Sequence, residues 1–282
     1  MKKRIILFGA NGFFGKNIIN FFKDQYKLKK IFRKDNLDKI NFKNYDFIIN
    51  AAADVYNENM MFKNNVVLVN QIVQKIVREN NRIRLIHFGS SGEYGAINKK
   101  SSEKDLIIPR TVYEGTKAAA TMLVQSYSKY YKFKSIIIRP FSIYGFHENK
   151  TRIMPSILRS YLGLQKLKIY NGYHDYVYIK DLISFLNKLL KKNLIKNYGE
   201  IVNFGSGKQY SNKQILNFFE ENLRYKSNAS FVSKFQKVYD KKIWQSDCRY
   251  LTKKFNFNFK YNIYKGIKDY IKIYLNHYKK IT

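Results

Sequence analysis

A single cysteine, Cys248, leaves nothing for a second thiol to pair with, so a disulfide framework is excluded and a reducing cytoplasm is the expected setting. Acidic residues are scarce as well: 20 against 53 basic ones give a formal net charge of +33. Such a balance suits a nucleic-acid or membrane-surface partner. Yet the 42 lysines and 11 arginines are spread along the whole chain. An arginine-rich arm, a zinc-ligand spacing and an RNA-binding aromatic signature are all missing. Lysine, asparagine, isoleucine, tyrosine and phenylalanine run high together, as an AT-rich coding sequence produces. The expectation is a general pull on anionic small molecules, with no nucleic-acid partner and no metal. Long apolar runs are absent too, so no segment can span a bilayer as a helix. Met1-Lys2-Lys3-Arg4 ahead of Ile5 to Phe8 resembles the start of a signal peptide, but the run stops at Gly9-Ala10-Asn11 and Lys16 follows. A soluble, cytoplasmic protein without membrane insertion is expected. At 282 residues, 45% of them hydrophobic, the chain has enough material for one large domain or one and a half.

What is present begins with a strand-like run, Arg4 to Phe8, feeding Gly9-Ala10-Asn11-Gly12-Phe13-Phe14-Gly15 and then an apolar-periodic helix. Strand, glycine turn and helix in that order form a dinucleotide cradle. Gly9 permits the tight turn, Gly12 lets a diphosphate approach the backbone, and Gly15 lets the helix pack on the strand. The candidate cofactor contacts are therefore Gly9, Asn11, Gly12, Phe13, Phe14 and Gly15. Residues 30–33 read as a second strand, at whose end an acid would hold a ribose 2′-hydroxyl and a base a 2′-phosphate. Arg33 and Lys34 come first there, ahead of Asp35, which points to NADP, with NAD as the alternative. The stretch from Asn36 to Tyr45 leaves room for only a stub of a third strand.

Residues 46–50 read as a fourth strand ending in Ala51-Ala52-Ala53, small enough for a cofactor to come close or for a plain core turn. A helix over 58–80 carries Asn64 and Asn65. Residues 84–88 read as a fifth strand running into Gly89-Ser90-Ser91-Gly92-Glu93-Tyr94-Gly95, whose hydroxyls either face the crevice or form a turn. Tyr113 and Lys117 then lie four apart on a helix, on one face. An ammonium there lowers a phenol of ordinary pKa about 10 towards use as a general acid or base. Short apolar runs alternating with helices predict an α/β fold, a doubly wound parallel sheet of the Rossmann type.

Together these motifs resemble the extended short-chain dehydrogenase/reductases, in the branch of NAD(P)-dependent nucleotide-sugar epimerases, dehydratases and reductases. The resemblance runs almost end to end, through Arg139-Pro140-Phe141-Ser142-Ile143-Tyr144-Gly145, residues 175–181, residues 202–207 and Ser246-Asp247. It implies a Ser90, Tyr113, Lys117 triad with Asn65 supporting a proton-relay water, and Lys117 also holding the nicotinamide ribose. It implies a dinucleotide domain over 1–145, a strand near 201–204 returning to its sheet, and a smaller C-terminal α/β domain over 146–282 for the sugar nucleotide. Many relatives pair through helices near this site, so a homodimer is one expectation. Substrate contacts map onto Ser91, Gly92, Ser142, Arg152, His174 and Arg249; for the last two basic side chains and Arg152, plain surface charge is the competing reading.

Departures from the family pattern narrow the chemistry. Dehydratases carry an Asp-Glu pair directly after the triad hydroxyl, where this chain has Ser91 and Gly92. Family fucose synthases use a cysteine and a histidine, matched here by Gly92 and Arg152. The expectation is a 4-keto reductase of a nucleotide-linked 4-keto-6-deoxysugar. A 4-epimerase that keeps its NAD is the alternative within the family. A non-catalytic dinucleotide-binding protein with polyanion affinity is the alternative outside it.

Overall fold

A computed structural model of the chain describes residues 2–95, 98–235 and 243–279. Its contacts divide into two units: Met1–Ala96 with Glu103–Pro140 and Phe185–Phe204, and Ile97–Ser102 with Phe141–Ser184 and Gly205–Thr282.

The first unit is built on a parallel sheet. In chain order its elements are β1 (Arg4–Phe8), α1 (Phe13–Phe22), β2 (Lys27–Ile31), β3 (Phe47–Asn50), α2 (Glu58–Met61), α3 (Leu68–Glu79), β4 (Arg84–Phe88), α4 (Val112–Tyr131), β5 (Ser135–Pro140) and β6 (Glu200–Phe204). The six strands lie in the order β6-β5-β4-β3-β1-β2, all parallel. Period-two patterning explains how the sheet is covered. Ile6, Phe8, Ile48, Leu85 and Ile137 face one side, where they meet Val69, Ile72, Val73 and Ile76 of α3 and Ala120 and Val124 of α4. Each fully buried aliphatic side chain in that layer contributes roughly 1.5–3 kcal/mol.

Three stretches differ from what the sequence predicts. The second strand is Lys27–Ile31, paired from Arg4↔Lys27 to Phe8↔Ile31, rather than residues 30–33. It is an edge strand, exposed at three of its five positions, so lysines fit it and an apolar run is not needed. Phe32 N–H donates to Asp35 Oδ2 at 2.8 Å and Asp35 N–H to Phe32 O at 3.0 Å, closing a turn that carries Arg33 outside the strand. Next, no third-strand stub is found among the described residues of the 36–45 stretch. A one-turn 3-10 helix, Leu37–Lys39, capped by Asn36, stands there, and Phe42 is buried behind it. The strand over 47–50 is thus the third, not the fourth. Finally, the helix over 58–80 is not uniform: a π-helical turn, Phe62–Val67, separates α2 from α3. Such wide turns interrupt the 3.6-residue period and recur at functional sites.

The second unit is packed with tyrosine. Three two-stranded sheets, Ser142–Tyr144 with Tyr176–Tyr178, Lys168–Asn171 with Ser230–Phe235, and Tyr173–His174 with Tyr210–Ser211, stand among its helices. Tyr144 lies 5.2 Å from Tyr178 and 6.3 Å from Tyr270 between ring centres. Gly266 makes room for them, since a Cβ there would lie 2.0 Å from the Tyr144 hydroxyl. Two buried carboxylates tie its loops. Asp175 accepts from the N–H and hydroxyl groups of Ser206 and Ser246 and from Gly207 N–H. Asp181 accepts from the N–H groups of Lys260 and Tyr261. Among the described residues no helix is long and apolar enough to cross a membrane.

Candidate active site

In the first unit the strand order reverses between β1 and β3, the position where open parallel sheets take their ligands. A cavity of about 770 Å³ opens there, lined by Gly9, Asn11 and Gly12, by Phe32 and Arg33, by Ala51, Ala52 and Ala53, and by Lys63 and Asn64 of the π-helical turn. The sequence builds its floor from the absence of side chains. Gly9 has φ of +77°, and a Cβ on it would lie 2.6 Å from the Ala51 backbone. A Cβ on Gly15 would lie 2.1 Å from Gly9 O. Neither position accepts another residue. Gly12 caps α1 without a side-chain hydrogen bond, so the amides of the first turn, at Phe13, Phe14 and Gly15, are left to a ligand. Backbone N–H groups and the positive end of a helix suit a diphosphate, and these residues fit a dinucleotide.

Arg33 stands on the rim, its side chain 66% exposed, and donates to Asp54 Oδ2 at 3.1 Å. Asp54 also accepts from Asn57 N–H at 3.0 Å and from the Asn64 amide at 3.1 Å. Burial pushes the Asp54 carboxyl up, but these hydrogen bonds, one from Tyr56 N–H and the Arg33 charge outweigh it, so the group sits below its ordinary 3.8. Arg33 is therefore a guanidinium already held at the mouth of the cavity. Asn65, buried in the π-helical turn, clasps the same loop. Its Oδ1 accepts from Asp54 N–H at 2.7 Å, and its amide donates to Asp54 O and to Thr116 Oγ1, both at 3.0 Å. With both hydrogens given within the chain, what it can still offer a water is a lone pair.

Ser90, Tyr113 and Lys117 also belong to this unit, and each is set by a local device. Ser90 opens a one-turn 3-10 helix, Ser91–Tyr94. Its Oγ accepts from Gly92 N–H at 3.0 Å while its own N–H donates to Glu93 Oε1 at 2.7 Å, a reciprocal cap. A Cβ on Gly92 would lie 3.0 Å from Glu114 Cγ and 3.2 Å from Ser90 Oγ, so Ser91 and Gly92 form a tight, buried turn. Tyr113, half-buried, and Lys117, 2% exposed, sit one turn apart on α4, which opens on a second reciprocal cap between Thr111 and Glu114. Lys117 Nζ donates to Phe88 O at the end of β4. Burial draws its pKa down to about 8, against the upward pull of the Glu93 charge.

The remaining sequence candidates lie in the second unit. Ser142 Oγ is 3.2 Å from His174 Nδ1. His174 packs between the rings of Tyr176 and Trp244, and burial with the nearby Arg152 charge draws it down to about 3. Both effects favour its uncharged, hydrogen-bonding form. Arg152 is 3.5 Å from Glu148, and Arg249, 81% exposed, is forked onto Asp247 at 2.6–3.0 Å.

Sequence reading passed over Glu93, Arg139, Asp54 and Glu148. Glu93 had a visible signal: it stands three residues after Ser90, the spacing of a capping box. Arg139 and Asp54 had none, because the pairs they form are 46 and 21 residues apart; Glu148 stands a visible four residues before Arg152, but only folding shows that its carboxyl group is buried.

Residues 5–205 match the model of the NAD dependent epimerase/dehydratase family. A dTDP-D-glucose 4,6-dehydratase of Dictyostelium discoideum is 26% identical over 271 residues, which cover 76% of this chain and 62% of the relative. The chain thus spans less than two thirds of that relative's length. Among solved structures, dTDP-glucose 4,6-dehydratase from Bacillus anthracis in complex with NAD has a TM-score of 0.84 at 19% identity, covering 98% of each chain. RMD from Pseudomonas aeruginosa complexed with NADPH has a TM-score of 0.84 at 15% identity, covering 98% of this chain and 100% of that one. At such identities the two structures share the fold.

Proposed function

The chain belongs to the NAD-dependent epimerase/dehydratase family, and from that membership we propose that it reduces the 4-ketone of a nucleotide-linked 4-keto-6-deoxysugar with NADPH. The observation that carries this reading is the acid inventory beside Ser90. Ser91 and Gly92 supply no carboxyl group. The carboxylate that follows them, Glu93, is turned into the core, where Ser90 N–H, Thr121 Oγ1 and Arg139 Nε occupy it. Elimination of water from a sugar needs an acid and a base beyond the triad; carbonyl reduction needs only a proton donor and an oxygen clamp.

In this reading the Gly9 to Gly15 cradle holds the diphosphate, Ala51 to Ala53 line the floor, and Arg33 meets the adenosine 2′-phosphate with charge-assisted hydrogen bonds. NADPH over NADH rests on that guanidinium; one solved neighbour holds NAD and the other NADPH. Lys117 holds the nicotinamide ribose. The bound reduced nicotinamide supplies the hydride. Ser90 Oγ–H donates to the ketone oxygen and fixes it. The Tyr113 phenol gives that oxygen its proton, and the Lys117 ammonium stabilises the phenolate left behind. A proton from solvent restores the phenol. Asn65 offers its Oδ1 lone pair to a water on that route. The second unit takes the sugar nucleotide, with Arg152 and Arg249 as charged contacts and Ser142 and His174 as neutral ones.

The test is a panel. Protein supplied with NADPH and nucleotide-linked 4-keto-6-deoxysugars is expected to form 4-hydroxy products, and to leave UDP-glucose and UDP-galactose unconverted. Interconversion of those two, with no ketosugar reduced, would replace the reading with a 4-epimerase.

A further inference from the structure

Beneath Ser90 and Lys117 lies a carboxylate with no part in the mechanism above. Glu93 is 0% exposed and Arg139 1%. Arg139 Nε donates to Glu93 Oε2 at 2.8 Å, and the guanidinium stacks 4.6 Å from the Tyr94 ring centre. The other oxygen, Oε1, accepts from Ser90 N–H at 2.7 Å and Thr121 Oγ1 at 3.0 Å. Gly89 is the reason the carboxylate fits, because a Cβ there would stand 2.5 Å from Oε1. Arg139 pairs with this carboxylate directly; burial pushes the Glu93 carboxyl up, and the Arg139 and Lys117 charges pull it back towards the anion. An anion in so dry a place is a costly way to hold a turn, which a neutral acceptor would hold as well.

We propose that Glu93 is a positioning residue of the active site: it fixes the Ser90 backbone and supplies the buried negative charge that keeps Lys117 an ammonium. The groups around Lys117 bear this out one by one. His87 on β4 is neutral, held so by burial and by Lys117 itself. Glu114, on the same helix, has one oxygen turned to the N–H groups of Arg110 and Thr111. Tyr113 lies one turn away, and Arg139 on β5 reaches the cluster through Glu93. Burial alone draws Lys117 down, and Glu93 is the group that draws it back up. Without that anion the lysine would lose its proton within the range where the enzyme works, and Tyr113 would lose its stabilising charge.

What Lys117 then does for Tyr113 rests on the carbonyl-reduction reading; the state of Lys117 does not, so the two are measured apart. Glu93→Gln keeps an acceptor for Ser90 N–H and removes the charge. Glu93→Gln with Arg139→Met removes the ion pair as a unit, a change that buried pairs often tolerate when the single change unfolds the chain. The probe is the 13Cε NMR titration of Lys117, its signal identified by its loss in Lys117→Arg. The parent is expected to titrate near pH 8 and Glu93→Gln about one to three pH units lower; the double variant, which loses the Arg139 cation as well, is expected to shift the same way by a smaller step. In a folded variant the alkaline limb of the pH–rate profile should shift the same way. Failure of every ketosugar to react, with the Lys117 shift present, would refute the functional reading and leave this one standing. An unmoved Lys117 titration in folded Glu93→Gln, or a rise in the double variant, would overturn it.

Discussion

Glu93 and Asp175 are both fully buried carboxylates, one in each unit, and their surroundings differ in kind. Among the described residues Asp175 is met by N–H and O–H groups of the loops it ties, at Ser206, Gly207 and Ser246. Glu93 is met by a guanidinium and acts on a lysine, at the carboxyl end of a strand and beneath Ser90. The first arrangement neutralises a charge with dipoles and fixes a loop. The second balances charge against charge and so sets the protonation of a neighbour. Burial alone therefore does not mark a chemical group; what matters is whether its partners are dipoles or ions.

The sharpest way to break the comparison is to exchange its consequences. Tyr113→Phe should lower turnover by roughly two to four decades while urea unfolding stays within about 0.5 kcal/mol of the parent. Asp175→Asn should do the reverse, since its amide turns donors against donors: about 3–5 kcal/mol of stability lost, with the pH–rate limbs unmoved in whatever folds. A pH–rate limb that moves in Asp175→Asn would end the distinction.

Glu148 tests the boundary between the two kinds. It has one ionic partner, Arg152 at 3.5 Å, and a buried Oε2 without one. Burial pushes its carboxyl up from the ordinary 4.5 to about 7. The folded chain thus holds this proton more tightly than the unfolded one. The resulting stability is present below about pH 4.5 and is lost as pH rises through 7. That loss is roughly 3 kcal/mol, and Glu148→Gln should remove it. Urea unfolding of both proteins at pH 5 and pH 7.5 reads the difference; equal pH dependence would show that Glu148 is not the titrating group.

A smaller effect is expected at the cavity mouth. Arg33→Ala should weaken NADPH binding by about 1.5–3 kcal/mol and leave NADH nearly unchanged. Fluorescence titration with both cofactors checks it, and an unaltered preference would remove Arg33 from cofactor choice. The smallest is at His174. Drawn to about 3, it should add nothing to the pH dependence of sugar-nucleotide affinity between pH 5 and 8, so His174→Asn should leave that slope as it is. A changed slope would restore the charged contact.

How much of this was legible beforehand depended on whether one residue or two carried the signal. Gly9, Gly12 and Gly15 declare the cradle because a strand, a turn and a helix are contiguous. Tyr113 and Lys117 are visible because a helix puts positions four apart on one face. The edge strand at Lys27–Ile31 was misplaced since exposed lysines give no apolar period, and the π-helical turn that buries Asn65 leaves no mark in a 3.6-residue pattern. Arg33 could be read as a cation at the end of a strand. Its pairing with Asp54, 21 residues on, arises only when β1 and β3 lie side by side. The partnership of Glu93 with Arg139 was hidden in the same way, by 46 residues of intervening chain.

Carbonyl reduction by a triad with no carboxyl group at Ser91 or Gly92 is tested most directly by cofactor stoichiometry. A reductase binds NADPH, passes on one hydride and releases NADP in every cycle, whereas a 4-epimerase returns the hydride it takes and gains nothing by releasing its cofactor. With a nucleotide-linked 4-keto-6-deoxysugar in excess, NADPH loss followed by absorbance and product counted by mass spectrometry should agree mole for mole. Product accumulating with no net loss of NADPH, from protein that keeps tightly bound NAD through purification, would contradict the account.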